Sequence, residues 1–369
     1  MIDYLQIEGF KSIKKMELEL KPINILIGSN GSGKSNFISF FKLINAIFST
    51  ALQQYVAEER ADNLLYFGRK HTKRIFGKMI FTKDGLHNNA YLFDLSQTAE
   101  GGLYLQREGS GYNVTLNDNS TQYFYNHNLD ESQFASAWQT RHTILQAYIS
   151  ALKIFHFHDT SSTSLLRRGC DVNDNQYLKP DGRNLPAYLY LLKTNHPKIF
   201  SRIEKNIQSI APYISRFILE PKRLAGQEGD IDLRWVDKGD PESNFSAYQL
   251  SDGTLRFIAL ATLLMQPEPP EVIIIDEPEL GLHPFAIAKL AGMIEAVSAK
   301  CQVVVATQSP GLISYFQPED VIVIDKSEEE NQTIFKRLNT EELSVWLEEY
   351  TLGDLWERNI INAAQPFNK

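Results

Sequence analysis

The sequence predicts an α/β protein: a parallel sheet wrapped by helices, with an antiparallel β subdomain and a helical lobe inserted into it. Three observations carry that expectation. The β-branched run Ile23-Asn24-Ile25-Leu26-Ile27 reads as a buried strand that ends at Gly28, feeds a glycine-rich loop and is followed by an apolar helix over 36–49. A second apolar strand, 272–275, ends in adjacent acids, Asp276 and Glu277. Around it the chain alternates helix (254–265), strand, helix (284–298) and strand (302–306), the order that builds a parallel sheet.

Taken in order, residues 4–8 alternate as a half-buried strand does, and a second strand follows at 16–20 after the turn at 11–15. Between 75 and 125, short β segments at 78–81, 90–95, 102–106 and 112–116 are separated by Gly, Asn and Asp turns, which predicts an antiparallel sheet. Residues 133–151 turn helical, and 184–217 give two more helices, with Ile199, Ile203, Ile207 and Ile210 on one face before Pro212 interrupts. A short sheet-like stretch covers 217–236. No heptad repeat persists, so long coiled-coil arms are not expected. The expected organisation is 1–130 as a first half carrying the glycine loop and β subdomain, 131–220 as the helical lobe, and 221–369 as a second half.

Composition narrows the class. Hydrophobic residues at 43% and charged residues at 22% are globular values and exclude a disordered or collagenous chain. Cys170 and Cys301 make no metal-type or redox-type pair, which suits a reducing interior. No apolar run approaches the ~20 residues that span a bilayer, and Met1-Ile2-Asp3-Tyr4 does not open a secretory leader, so the expectation is a cytoplasmic protein without membrane contact. A net charge of -8 disfavours bulk attraction to polyanions. The cluster Arg69, Lys70, Lys73, Arg74 and Lys78 is the local exception, read either as a phosphate contact or as a solvated strand-and-turn face. The acidic runs 328–330, 341–342 and 348–349 read as solvated turns and helix faces.

The chemistry lies in three motifs. Gly28-Ser29-Asn30-Gly31-Ser32-Gly33-Lys34-Ser35 fits G-x-x-x-x-G-K-[ST] at a strand-to-helix handover. Its glycines let backbone N–H groups curl around a phosphate, the helix dipole favours the anion, Lys34 adds a full charge, and the Ser35 hydroxyl suits Mg²⁺. Asp276 is placed to hold Mg²⁺, and Glu277 to orient or deprotonate an attacking water. Leu250-Ser251-Asp252-Gly253-Thr254 opens a helix; standing alone it is an ordinary N-cap.

Together these motifs, with Glu279-Leu280-Gly281-Leu282-His283-Pro284 after the acids and Gly9-Phe10-Lys11-Ser12 at the start, resemble the ABC-type ATPases of the RecF and SMC group. The resemblance covers about 1–50 and 245–325. Phe157-His158-Asp159-Thr160-Ser161 and Asp181-Gly182-Arg183-Asn184-Leu185 are similar to a compact stand-alone subgroup related to the ATPase part of OLD-family proteins. It implies a P-loop NTPase fold of the ABC-head type, with ATP and Mg²⁺ as cofactors. Residues 28–36 (Asn36 included) and Lys11 would contact nucleotide, and Lys34, Glu277 and Gln308 would be catalytic. It further implies a head-to-tail homodimer in which Ser251 and Gly253 of one copy meet the γ-phosphate held by the other.

Departures from the family pattern qualify the picture. Gln308 stands where many relatives have histidine; glutamine donates a hydrogen bond but shuttles no proton, so slow turnover is expected. Asp252 replaces the usual first glycine and calls for a neighbouring cation such as Arg256. The nearest candidates for the glutamine loop, Gln53 and Gln54, also read as surface residues. Some relatives carry a toprim nuclease, for which the stretch after Asp325 is too short, so any nuclease would be a separate chain. His156, His158 and Asp159 would share a strand as a metal set or as packed residues, and Asp230-Ile231-Asp232 reads as a turn. Two alternatives stay open: a slow ATP switch that regulates a separate nuclease or toxin effector in a defence-type system, and a DNA-repair ATPase that contacts nucleic acid.

Overall fold

The computed structural model describes residues 1–83, 87–112, 114, 123–134, 140–224, 227–327 and 329–362. The chain divides into two compact units, one made of 1–154 with 316–369 and the other of 155–315. It is a mixed α/β architecture, as expected.

The first unit begins with β1 (Ile2–Phe10), β2 (Ile13–Glu19) and β3 (Ile23–Ile27). Alternating burial along β1 and β2 marks strands with one face in a core, whereas all five residues of β3 are buried. After the glycine loop and its helix come β4 (Arg74–Lys83), β5 (His87–Gln97), β6 (Leu103–Tyr112) and β7 (Tyr123–Leu129). Among the described residues these form an antiparallel sheet in the order β2-β1-β4-β5-β6-β7. β3 pairs instead in parallel with the strand Val321–Ser327, which pairs antiparallel with Gln332–Arg337.

The helix Lys34–Phe48 packs against both layers of this unit through its aromatic side chains. Phe40 meets Phe10 of β1 at 5.6 Å and Phe93 of β5 at 6.0 Å between ring centroids. Phe37 lies 5.6 Å from Phe335 on the other side. Each such ring buries enough apolar surface to contribute about 1.5–3 kcal/mol. The helix, and with it Lys34 at its first turn, is thereby fixed.

One expected boundary is corrected. A strand over 112–116 was predicted after a glycine turn, but 108–112 continue β6, and residues 113, 115 and 116 lie outside the described residues. Gly109 and Gly111 are held extended because β5 pairs with them on one side and β7 on the other. The helix expected over 133–151 is described from Thr140 to Ser150; Gln133 and Phe134 precede it as bend and turn, and 135–139 lie outside the described residues.

In the second unit Val272–Asp276 runs parallel to Gln302–Thr307 in the register Asp276 to Ala306. Their connection carries the helix Pro284–Ser298. The helices Leu185–Asn195, Pro197–Ile210 and Asp252–Met265 fall where periodicity places them. A small antiparallel sheet joins Ile214–Ile218, Arg234–Asp237 and Asn244–Ser246. Both cysteines are free; burial pushes the Cys170 thiol up to about 11 and the Cys301 thiol up to about 12, so neither is an activated thiolate at neutral pH. Among the described residues no helix is long and apolar enough to cross a membrane.

Candidate functional site

The glycine loop leaves β3 at Gly28 and enters its helix at Gly33. Gly31 and Gly33 have φ of 80° and 119°, a backbone that L side chains rarely adopt. A Cβ at Gly28 would strike the Ile324 carbonyl and Ser32 Oγ, and one at Gly33 would lie 2.5 Å from Thr333 Oγ1. Ser29, Asn30, Gly31 and Ser35 are exposed on the open side of the loop, whereas Ser32 and Lys34 are buried. Lys34 Nζ donates to the carbonyls of Gly28 and, at 3.0 Å, Ser29. Among the described residues Ser32 Oγ, buried, has no hydrogen-bond partner, an arrangement that invites an acceptor into the loop.

A chain of hydroxyls holds the loop from behind. Asn36 Nδ2 donates to Ser12 Oγ at 2.7 Å, Ser12 Oγ lies 2.7 Å from Thr333 Oγ1, and Thr333 Oγ1 donates to the Ser32 carbonyl at 3.0 Å. Because Thr333 spends its proton on a carbonyl, Ser12 is the donor to Thr333, and the chain closes with every proton assigned. Asn36 therefore braces the loop from behind.

In the second unit the acids end their strand as expected. Glu277 has φ 39°, a left-handed backbone that costs a residue other than glycine about 1–2 kcal/mol. Its N–H donates to the Ala306 carbonyl at 2.7 Å, and its Oε1 accepts from Gln308 Nε2 at 2.5 Å. Gln308 thus gives an amide hydrogen to the Glu277 carboxylate, a contact that its place in the motif does not announce. Glu279 accepts from Thr307 Oγ1 at 2.5 Å, and its other oxygen is buried with no partner among the described residues. Burial raises its carboxyl above the ordinary range, partly offset by the Thr307 hydrogen bond.

Ser251 caps the helix Asp252–Met265, accepting from Thr254 N at 3.2 Å. A Cβ at Gly253 would lie 2.5 Å from the Gly281 carbonyl, so only glycine fits there. Both residues line a cavity of about 230 Å³ with Thr254, Gly281, His283 and Phe285. Leu280 and Phe285, close by in sequence, are about half exposed.

A family described as "AAA domain, putative AbiEii toxin, Type IV TA system" matches residues 23–314. The chain belongs to this AAA family. No curated protein matches it. Among solved structures, an SMC head bound to the C-terminal winged-helix domain of ScpA aligns with a TM-score of 0.59 at 18% identity, covering 93% of this chain and 99% of that one. The Pyrococcus furiosus SMC head with an extended coiled coil, bound to the C-terminal domain of ScpA, aligns at 0.54 and 16%, covering 94% and 98%. The AAA-family chain therefore has the fold of SMC head domains.

Other expected partners of the AAA motifs lie elsewhere. Asp252 is paired by Arg167 at 2.6 Å and not by Arg256. The buried Arg167 guanidinium also donates to the carbonyls of Thr160 (2.8 Å), Ala247 (2.5 Å) and Leu250 (3.1 Å), gripping the residues that precede the cap. Arg256, although one turn from Asp252, turns its buried guanidinium to the carbonyls of Phe157 and His158. Arg167 and Thr333 carry no motif of their own, and a sequence reading misses both. Gln53 ties its helix to the β subdomain through the Leu103 and Asp130 carbonyls, and Gln54 bonds Glu58 on its own helix.

Lys11 has φ 48° and pairs with Glu59 at 3.3 Å. With Ser12, Asn36, Arg69, Lys70 and Lys326 it lines a cavity of about 860 Å³, which also takes in Thr333 behind the loop. Part of the basic cluster is neutralised: Arg69 pairs with Asp62, and Arg74 with Glu8 and Asp94. Among the described residues no group of three or more His, Cys, Asp or Glu gathers as a metal cage. His158 bonds the Asp276 carbonyl, Asp159 receives Ser161, and Asp232 pairs with Lys222.

Proposed function

We propose that the chain is an ATPase that binds ATP with Mg²⁺ in the glycine loop, closes head to tail with a second copy, and reopens after hydrolysis. The observation that carries this reading is the loop itself: positive-φ glycines, a buried lysine and a buried unpartnered serine hydroxyl form a phosphate cradle. Lys34, now bonded to two loop carbonyls, exchanges them for phosphate oxygens. The cavity beside Lys11 and Asn36 is large enough for the sugar and base.

Mg²⁺, when bound, supplies charge neutralisation on the phosphate oxygens. In the loop the Ser35 hydroxyl is a hard oxygen donor that would hold it, and the Asp276 carboxylate is a donor of the kind this ion takes. Glu277 accepts the proton of the attacking water, and Gln308 fixes which carboxylate oxygen is free to do so. Gln308 holds no proton to relay, which favours slow turnover. Ser251, Gly253 and the helix they open offer an anion site to the γ-phosphate of the second copy, and the half-exposed Leu280 and Phe285 offer apolar area for closure.

A second reading has its own support. The family's description as a putative AbiEii toxin, together with the Gln308–Glu277 bond, favours a slow ATP switch that regulates a separate nuclease or toxin effector. Sizing with light scattering tests the dimer common to both. The Glu277→Gln variant is expected to move from a 42.1 kDa monomer to twice that mass with Mg²⁺ and ATP. A mass that nucleotide never changes would remove it. Phosphate-release rates then separate enzyme from switch.

A further inference from the structure

We propose that His158 is a positioning residue for Glu277: it pins the peptide that joins the paired acids and links it, through Arg256, to the helix opened by Ser251. The inference rests on Glu277 acting as the base proposed above. It is drawn from a single peptide group. The Asp276 carbonyl accepts a hydrogen bond from His158 Nε2 at 2.8 Å, and the Glu277 N–H of the same peptide donates to the Ala306 carbonyl at 2.7 Å. A carbonyl only accepts, so His158 carries its hydrogen on Nε2 in this bond.

Both ends of the Asp276–Glu277 peptide are therefore held, and the peptide cannot rotate. Rotation is the motion that would relieve the left-handed φ of 39° at Glu277, and strained backbone of this kind persists only where its surroundings over-determine it. Ala306 is fixed as part of a fully buried strand in register with Asp276. His158 is the other anchor. Were it lost, Glu277 would relax toward ordinary backbone angles and carry its carboxylate away from Gln308 Nε2.

His158 is held in turn. Arg256 Nε donates to the Phe157 carbonyl at 3.0 Å and Arg256 Nη2 to the His158 carbonyl at 2.9 Å, while the Phe157 ring is buried. Arg256 lies on the helix Asp252–Met265, three residues after Gly253. Two hydrogen-bonded links thus join the helix that offers the second anion site to the backbone of the base. Sequence spacing gives no hint of this, since His158 and Asp276 are 118 positions apart.

The test is single-turnover phosphate release, nucleotide affinity and melting temperature, measured on full-length wild type, His158→Leu, His158→Gln and Glu277→Gln. Losing a hydrogen bond that positions the base is expected to slow His158→Leu about tenfold or more, with ATP affinity within about twofold of wild type. His158→Gln, whose amide N–H can reach the same carbonyl, is expected to recover to within about threefold. A purely structural histidine would instead lower affinity, melting temperature and rate together, with no rescue by glutamine. If His158→Leu melts too low to assay, His158→Asn, polar but too short to reach Asp276, carries the same expectation. Wild-type rates in the variants lacking the donor, or equal impairment of His158→Gln, would overturn the inference while leaving the ATPase reading standing. No release from wild type would end that reading and this one with it.

Discussion

Thr333 lies 301 positions from Ser32, yet its hydroxyl supports the loop from behind, and only the folded chain could show this. Thr333→Val keeps the shape but removes both a donor to Ser32 and an acceptor for Ser12. The expected loss is about 1–3 kcal/mol of stability together with weaker nucleotide binding, read by thermal melting and titration. Unchanged affinity would mean that the hydroxyl chain does not set the loop. Glu279 makes a pH prediction. Burial holds its native carboxyl above the ordinary 4.5, so the native state binds that proton more tightly than the unfolded chain does. Its contribution to stability is then present at low pH and falls as pH rises from about 4.5 toward the raised native value. Glu279→Gln keeps an acceptor for Thr307 and abolishes the dependence. Its melting temperature relative to wild type is expected to rise between pH 5 and pH 8 in magnesium-free buffer, and a flat difference would contradict the assignment. At this scale the motif residues were legible because their chemistry is local: glycine where φ is positive, a lysine beside it, acids at a strand end. Arg167 and Thr333 are not, and His158 is legible only as part of a resembling stretch or a metal set, because each acts on a backbone carbonyl brought near by the fold, and carbonyls carry no sequence signal.

Elements with strong periodicity were read well. The buried strand before the loop, the helix that follows it and the strand that ends at Asp276, just before Glu277, fall where their sequences place them, because buried runs leave few alternatives. The end of β6 escapes a sequence reading because two glycines mimic a turn, and only pairing on both sides reveals the strand. The helix Asp252–Met265 has an observed role and a proposed one at the same end. Ser251 caps it through Thr254 N, while by helix geometry the first-turn N–H groups lack intrahelical acceptors and can receive an anion. Ser251→Ala is expected to cost about 1 kcal/mol as a lost cap and to abolish the ATP-linked dimer. Ser251→Thr should restore stability, since threonine also caps. A dimer that forms normally in Ser251→Ala would remove the serine from the trans contact and leave it a cap alone.

For the whole molecule, the motifs and their order carry the class and the family resemblance, and the match over 23–314 and the SMC-head fold bear both out. The pairing of Arg69 and Arg74 with carboxylates weakens the cluster that supported nucleic-acid contact, and a net charge of -8 adds no general attraction. Nucleotide is therefore the ligand that decides what this protein does. Titration calorimetry of Mg²⁺ and ATP into the folded protein addresses that most directly, with Lys34→Ala as the comparison. Saturable uptake of one nucleotide per chain is predicted for wild type, with affinity reduced about a hundredfold or more once the buried lysine charge is gone. Absence of uptake by wild type, or uptake that Lys34→Ala leaves unchanged, would contradict the central claim.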